Sequence, residues 1–251
     1  MLDLTTTGNV AVLRMHHGKA NALDLELCEA IVANLDRCRA ESIGAIVITG
    51  EAKMFSAGVD LVRLVDGGAE YVRRFLPAMV HMFEALFTFD KPVVAAINGH
   101  AIAGGCIIAS AADWRIMSRE GGRIGVPELL VGVPFPAVPL EIIRFAADPH
   151  HLQTLVYSGV TLTAERAQEH GLVDLVVNGD ALMGEAMTRA TALAAIRPAV
   201  FAFTKRQVRE PAIARMKDGA ARTRDIVQGV WESPATLAAI RDYVARTLAK
   251  S

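Results

Sequence analysis

Apolar positions along this chain follow two rhythms. Val10 to Met15 is a short apolar-rich run, and Gly44 to Thr49 is continuously apolar, which predicts a strand covered on both faces. After a turn expected at His17-Gly18-Lys19, residues Leu27, Ala30, Ile31, Asn34, Leu35 and Cys38 fall close to the i, i+3, i+4, i+7 spacing of a helix with one buried face. A second helix is predicted over much of Glu70 to Phe89, closed off before Pro92. The strand Val93 to Ile97 follows, then a small-residue helix opening near Gly104. Arg123 to Val126 predicts a short strand ending at Pro127-Glu128. Thr163-Ala164-Glu165 has the form of an N-cap with an acidic first turn, Gly171 that of a C-terminal stop, and Leu172 to Val177 that of a further strand. From Asp180 onward the pattern is mostly helical, with Gly179, Pro198, Pro211 and Pro234 as breaks. Strand, loop and helix recurring roughly every forty-five residues predict a spiral of repeats.

Two of the loops share a layout. Ile46 to Gly50 leads into Met54-Phe55-Ser56-Ala57-Gly58-Val59-Asp60-Leu61, and Val93 to Gly99 leads into Ala103-Gly104-Gly105-Cys106. Each reads as strand, small-residue loop, helix start. The first turn of a helix leaves N–H groups without intrahelical partners, and two such turns facing one point would make an oxyanion hole from backbone alone. Spacing does not establish that they converge; strand-to-helix turns with glycine are also routine structural features.

Composition narrows the functional classes. At 251 residues the chain can bury a substantial core as one domain with an appended helical segment. A formal net charge of −1 argues against a nucleic-acid binder, which needs a basic surface. No apolar run approaches the roughly 20 residues that span a bilayer, and Met1-Leu2-Asp3-Leu4-Thr5 lacks the pattern of a secretory signal, so no membrane association and a cytoplasmic location are expected. Cys28, Cys38 and Cys106 form no CxxC pair, and the adjacent pairs His16-His17 and His150-His151 point apart on extended chain, so no metal site is expected. There is no GxGxxG after a strand, no GxxxxGK[ST] and no HExxH. Met54 stands where a GxSxG nucleophile elbow needs its first glycine, which argues against Ser56 as a nucleophile. His100 follows Asn98-Gly99 and lies within reach of a site at the second loop.

Five stretches together resemble the crotonase (enoyl-CoA hydratase/isomerase) superfamily, in the family's order. They are Asn21-Ala22-Leu23, Phe55 to Leu61, Ile97 to Cys106, Pro127-Glu128-Leu129, and Ser158-Gly159 through Ala164-Glu165-Arg166-Ala167 to Gly171-Leu172-Val173-Asp174. The resemblance implies an α/β fold, a crotonase-like spiral of ββα repeats over residues 1–195 with a C-terminal helical trimerisation segment over 196–251. It also implies a homotrimer or dimer of trimers acting on acyl-CoA thioesters, with no cofactor beyond coenzyme A as part of the substrate. By the same resemblance, the oxyanion amides match Val59 and Gly104. The segments holding coenzyme A match Lys19, Ala20, Ala22 and Leu23, and Ala57, Gly58, Asp60 and Leu61. The Pro234 to Leu248 stretch is expected to pack on a neighbouring subunit and help close that site.

Hydratases of this family carry two glutamates. One matches Glu128; the other falls at Ile107, three residues after Gly104 and so on the same helix face. Hydration asks for work at two carbons, whereas moving a double bond from β,γ to α,β needs one base that takes the C2 proton and returns it at C4. An apolar neighbour raises a carboxylate's pKa towards a shuttling range. The chain thus resembles most the monofunctional Δ3,Δ2-enoyl-CoA isomerases, also in Gly132-Val133-Pro134-Phe135 and in the terminal stretch Ile240 to Leu248. A hydratase with a single glutamate and a non-catalytic acyl-CoA-binding protein are the alternatives. Met79, Phe83 and Phe135 are expected to set chain length. Glu141 is expected at the surface of the helix that follows, acting as a second acid only if its loop folds inward.

Overall fold

The computed structural model describes residues 1–247, so Leu248, named above, lies outside the described residues. The chain opens with β1 (Leu2–Thr7), β2 (Val10–Met15) and α1 (Leu25–Ala40), followed by β3 (Ala45–Thr49), β4 (Met54–Ser56) and α2 (Leu61–Phe87). Then come β5 (Val93–Ile97), β6 (His100–Ile102) and α3 (Gly104–Ala111), and β7 (Trp114–Ser118), β8 (Ile124–Gly125) and α4 (Glu128–Val131). The remainder is α5 (Ala137–Ala146), α6 (Leu152–Ser158), β9 (Thr161–Leu162), α7 (Ala164–Glu169), β10 (Leu175–Val177), α8 (Leu182–Ala194), α9 (Pro198–Glu232) and α10 (Pro234–Thr247).

The ββα repeat explains the two sheets. In the units that begin with β3, β5 and β7 the first strand joins a six-stranded sheet, β1-β2-β3-β5-β7-β10, and the second joins a four-stranded sheet, β4-β6-β8-β9, whereas β1 and β2 of the opening unit both join the larger sheet. From β2 to β10 the larger sheet is parallel, with β1 added antiparallel at its edge. Both faces are covered, which is why β3 and β5 are buried throughout. Ile46, Ile48, Val93, Ala95 and Ile97 face the main core beneath α1 and α2. Ala45, Val47, Val94 and Ala96 face Leu182, Ala186 and Ala190 of α8.

The repeat is less regular than the sequence rhythm implies. From Ala45 to Val93 is 48 residues, but from Val93 to Trp114 only 21, because α2 has 27 residues and α3 only 8. The helix expected from Glu70 is the second segment of α2, which breaks at Gly68 (φ +59) and begins earlier, at Leu61. The expected strand at Leu172 shortens to β10, and β1, with its run of exposed threonines, was not among the predicted elements. Pro211 does not end a helix: α9 runs through it for 35 residues. Pro211 removes one donor to the carbonyl of Gln207, and both residues are exposed, so water can satisfy that oxygen.

A buried ion cluster pins α9 to the core. Asp113 accepts from Lys205 Nζ at 2.7 Å, from Arg209 Nη2 at 2.8 Å and from the Val93 amide at 2.8 Å. Burial pushes the Lys205 ammonium down to about 8 against the opposing pull of Asp113. Removing one member of such a cluster leaves a buried charge unpaired. Asp113→Ala is therefore expected to cost about 3–5 kcal/mol in urea unfolding, a loss the exposed pair Arg166–Glu169 would not show. Within the chain, α10 packs against α2, α9 and α4.

Candidate active site

The first loop is held by side chains that answer its backbone. Asn21, itself at φ +47, donates through Nδ2 to the Phe55 carbonyl at 3.1 Å. Ser56 Oγ donates to the Asn21 carbonyl at 2.7 Å and accepts from the Gly58 amide at 3.2 Å. Residues 20–23 then run beside residues 57–60. The Ala57 amide donates to the Ala20 carbonyl, that of Leu23 to the Gly58 carbonyl at 2.7 Å, and that of Asp60 to the Leu23 carbonyl at 2.9 Å. Every amide from 57 to 60 is thereby spent except that of Val59, which has no acceptor among the described residues.

The second loop ends in the same condition. Gly104 is the first residue of α3, so its N–H has no intrahelical partner. Ala103 before it sits at φ +51, a conformation that costs an L-residue on the order of 1–3 kcal/mol and that turns the following peptide. The two loops touch. A Cβ built on Gly58 would lie 2.7 Å from Ala103 Cβ and 3.0 Å from the Gly104 nitrogen, and one on Gly105 would lie 2.3 Å from the Ser56 carbonyl oxygen. Only glycines permit this close approach of the two loops.

Val59 and Gly104 line a cavity of about 590 Å³ together with Glu128 and Ile107. Glu128 opens α4 directly after Pro127, and its Oε2 is enclosed without a hydrogen-bond partner among the described residues. Burial pushes its carboxyl up to about 8. Ile107 stands on the same face of α3 as Gly104, and Met79, Phe83 and Phe135 form further apolar wall. His100 also lines the cavity, on the strand β6 that carries Ile102 two residues later.

Of the residues matched to coenzyme A binding, Ala20, Ala22, Ala57, Asp60 and Leu61 line this cavity. Leu23 and Gly58 serve instead as backbone partners of one another, with Leu23 fully buried. Lys19 is exposed in its turn and is not part of the lining. Glu141 is neither a surface residue nor a second acid. It is 5% exposed on α5, bound to Arg144 at 2.5 Å and Arg215 at 2.6 Å. Tyr243 and Thr247 of α10, within the stretch expected to help close the site, line the cavity, and Trp231 of α9, which sequence reasoning missed, joins them. Trp231 gave no signal, because only the return of the C-terminal helices brings it there.

One cavity on this repeat of ββα units is thus lined by two residues whose amides have no partner in the chain and by one enclosed carboxyl. The chain belongs to the enoyl-CoA hydratase/isomerase family, whose model matches residues 5–240. It is 32% identical to a putative enoyl-CoA hydratase of Thermus thermophilus over 203 residues, which is 79% of each chain. Its fold matches that of an enoyl-CoA isomerase from Mycobacterium tuberculosis with a TM-score of 0.82 at 28% identity, covering 91% of this chain and 96% of the other. It also matches the fold of human mitochondrial Δ3-Δ2-enoyl-CoA isomerase with a TM-score of 0.92 at 22% identity, covering 100% and 99%. Among the described residues no helix is long and apolar enough to cross a membrane, and no cluster suited to a metal ion occurs.

Proposed function

We propose that the protein moves the double bond of 3-enoyl-CoA thioesters into conjugation, giving 2-enoyl-CoA, with Glu128 as the proton shuttle. The observation that carries this reading is the pairing of one enclosed cavity carboxyl, Glu128, with Ile107, where a two-glutamate hydratase would have its second; the other carboxylate on the lining, Asp60, caps α2. The ionised Glu128 takes the proton from C2. The electron pair passes into the thioester, and the amides of Val59 and Gly104 bind the resulting oxyanion. Glu128 then returns the proton at C4, leaving the C2–C3 bond double. Only a proton moves, so the reaction calls for no redox group and no metal; coenzyme A enters with the substrate. Ala20, Ala22, Ala57, Asp60 and Leu61 would border it, with Lys19 outside the cavity.

The curated relatives named enoyl-CoA hydratases favour a second reading, hydration by Glu128 alone. A product assay separates the two. Incubated with 3-hexenoyl-CoA, the protein is expected to form 2-hexenoyl-CoA, with little 3-hydroxyhexanoyl-CoA from 2-hexenoyl-CoA. Rapid hydration of the second substrate would reverse the assignment, and tight binding without turnover of either would favour a binding protein. The exposed Phe203, Val208 and Ile226 of α9 support assembly into a homotrimer or dimer of trimers, which light scattering would read, and cytoplasmic residence accords with such an activity.

A further inference from the structure

Two chain segments run side by side at the Val59 amide, and an ion pair outside the cavity joins the helices that follow them. Leu23-Asp24 and Val59-Asp60 are matching pairs: Asp24 caps α1 by accepting from the Leu27 amide at 2.8 Å, and Asp60 caps α2 by accepting from the Arg63 amide at 2.9 Å. Just before these caps, Leu23 bridges to Val59 in parallel register. Its two hydrogen bonds engage the Gly58 carbonyl and the Asp60 amide. Successive backbone groups on extended chain face opposite sides, so this register turns the Val59 N–H away from Leu23.

One side chain locks the register. Arg63 reaches from the first turn of α2 back to the start of α1, placing Nη1 2.9 Å from Asp24 Oδ2 and Nη2 2.6 Å from Glu26 Oε1. Its guanidinium lies 5.2 Å from the Tyr71 ring centroid, and the Tyr71 hydroxyl accepts from the Leu25 amide at 3.1 Å. His17 Nε2 lies 2.6 Å from the same oxygen of Asp24, which is 4% exposed. Forked, charge-assisted contacts of this kind fix geometry as well as energy. None of Arg63, Asp24, Glu26, His17 or Tyr71 lines the cavity.

We propose that Arg63 and Asp24 are positioning residues that set the direction of the Val59 N–H towards the substrate carbonyl. The inference rests on the oxyanion reading of Val59, and the test separates the two. Octanoyl-CoA carrying a 13C-labelled thioester carbonyl binds without reacting, and the infrared band of that carbonyl moves to lower frequency as donors engage it. With the wild type a downward shift is expected. With Arg63→Met, and separately with Asp24→Asn, which keeps an acceptor for the α1 cap, the shift should fall to roughly half, as one of two donors turns away. Turnover of 3-hexenoyl-CoA should fall roughly tenfold in kcat with KM within about twofold, the double variant should be no worse than either single one, and Arg63→Lys should recover part of the loss. A wild-type carbonyl shift and kcat retained in both variants, with only a lowered melting temperature, would overturn the positioning role while leaving the oxyanion hole standing. Absence of any shift in the wild type would overturn both.

Discussion

Glu128→Gln is expected to lower turnover of 3-enoyl-CoA by roughly 10²- to 10⁴-fold, the range for loss of a positioned proton-transfer group, without weakening the fold. The second half of that expectation follows from the site. Glu128 Oε2 is enclosed with no partner, so the carboxyl makes no contact there that glutamine would forfeit, and glutamine has no charge to desolvate. The pH dependence carries a definite sign. In the folded protein burial raises the Glu128 carboxyl from 4.5 to about 8. Stability from holding its proton is therefore complete below the unfolded value and is lost as pH rises through the folded one. The variant has no such loss, so its unfolding free energy should gain on the wild type's from about pH 5 to pH 8 and stay ahead above that, by on the order of a few kcal/mol, with its melting temperature rising accordingly. For catalysis the sign runs the other way. The free enzyme must ionise Glu128 before it can take a proton, so kcat/KM should climb as pH approaches about 8 and then level. A flat profile across that range, or a variant that keeps turnover, would remove Glu128 from the reaction.

The same residue shows how much the chain discloses before it is folded. Glu128 and Ile107 were picked out by the family resemblance, which matches them to positions beside Pro127 and Gly104, and both line the cavity. The strands at Val10, Gly44 and Val93 were legible because a sheet covered on both faces demands continuous apolar runs. What stayed hidden depends on distant chain. Trp231 joins the cavity because the C-terminal helices fold back on the chain, and no local pattern encodes that return. Leu23, matched to coenzyme A binding, serves as a backbone brace because its partner lies 36 residues later, at Val59. Pro211 misled because a break that ends an isolated helix is tolerated in α9, where Ala212 and Arg209 on the buried face remain packed. Glu141 misled because a lone carboxylate on a helix is usually exposed, and its partner Arg215 comes from α9.

Gly58→Ala is expected to damage stability and catalysis together, by more than its single methyl group suggests. Two costs add at this position. Gly58 has φ +81, where an L-residue costs about 1–2 kcal/mol. Its new Cβ would also lie 2.7 Å from the Ile102 carbonyl oxygen, 2.7 Å from Ala103 Cβ and 3.0 Å from the Gly104 nitrogen. Two of these atoms are backbone, so relief requires the loops to part, and a total of about 2–4 kcal/mol is expected in urea unfolding. Parting the loops moves the Val59 and Gly104 amides off a common point, so kcat/KM should fall at least roughly 100-fold, as when one oxyanion donor is removed. Gly8→Ala isolates the first cost, because Gly8 has φ +61 with nothing within 4 Å of the added Cβ. It should lose stability modestly and keep full activity. Adding Ala103→Gly to Gly58→Ala removes one close contact and frees the strained φ of Ala103, so some stability should return. Activity should not, because the clashes with the Ile102 oxygen and the Gly104 nitrogen persist. If Gly58→Ala cost no more than Gly8→Ala and turned over substrate normally, the two loops would not be meeting at an oxyanion.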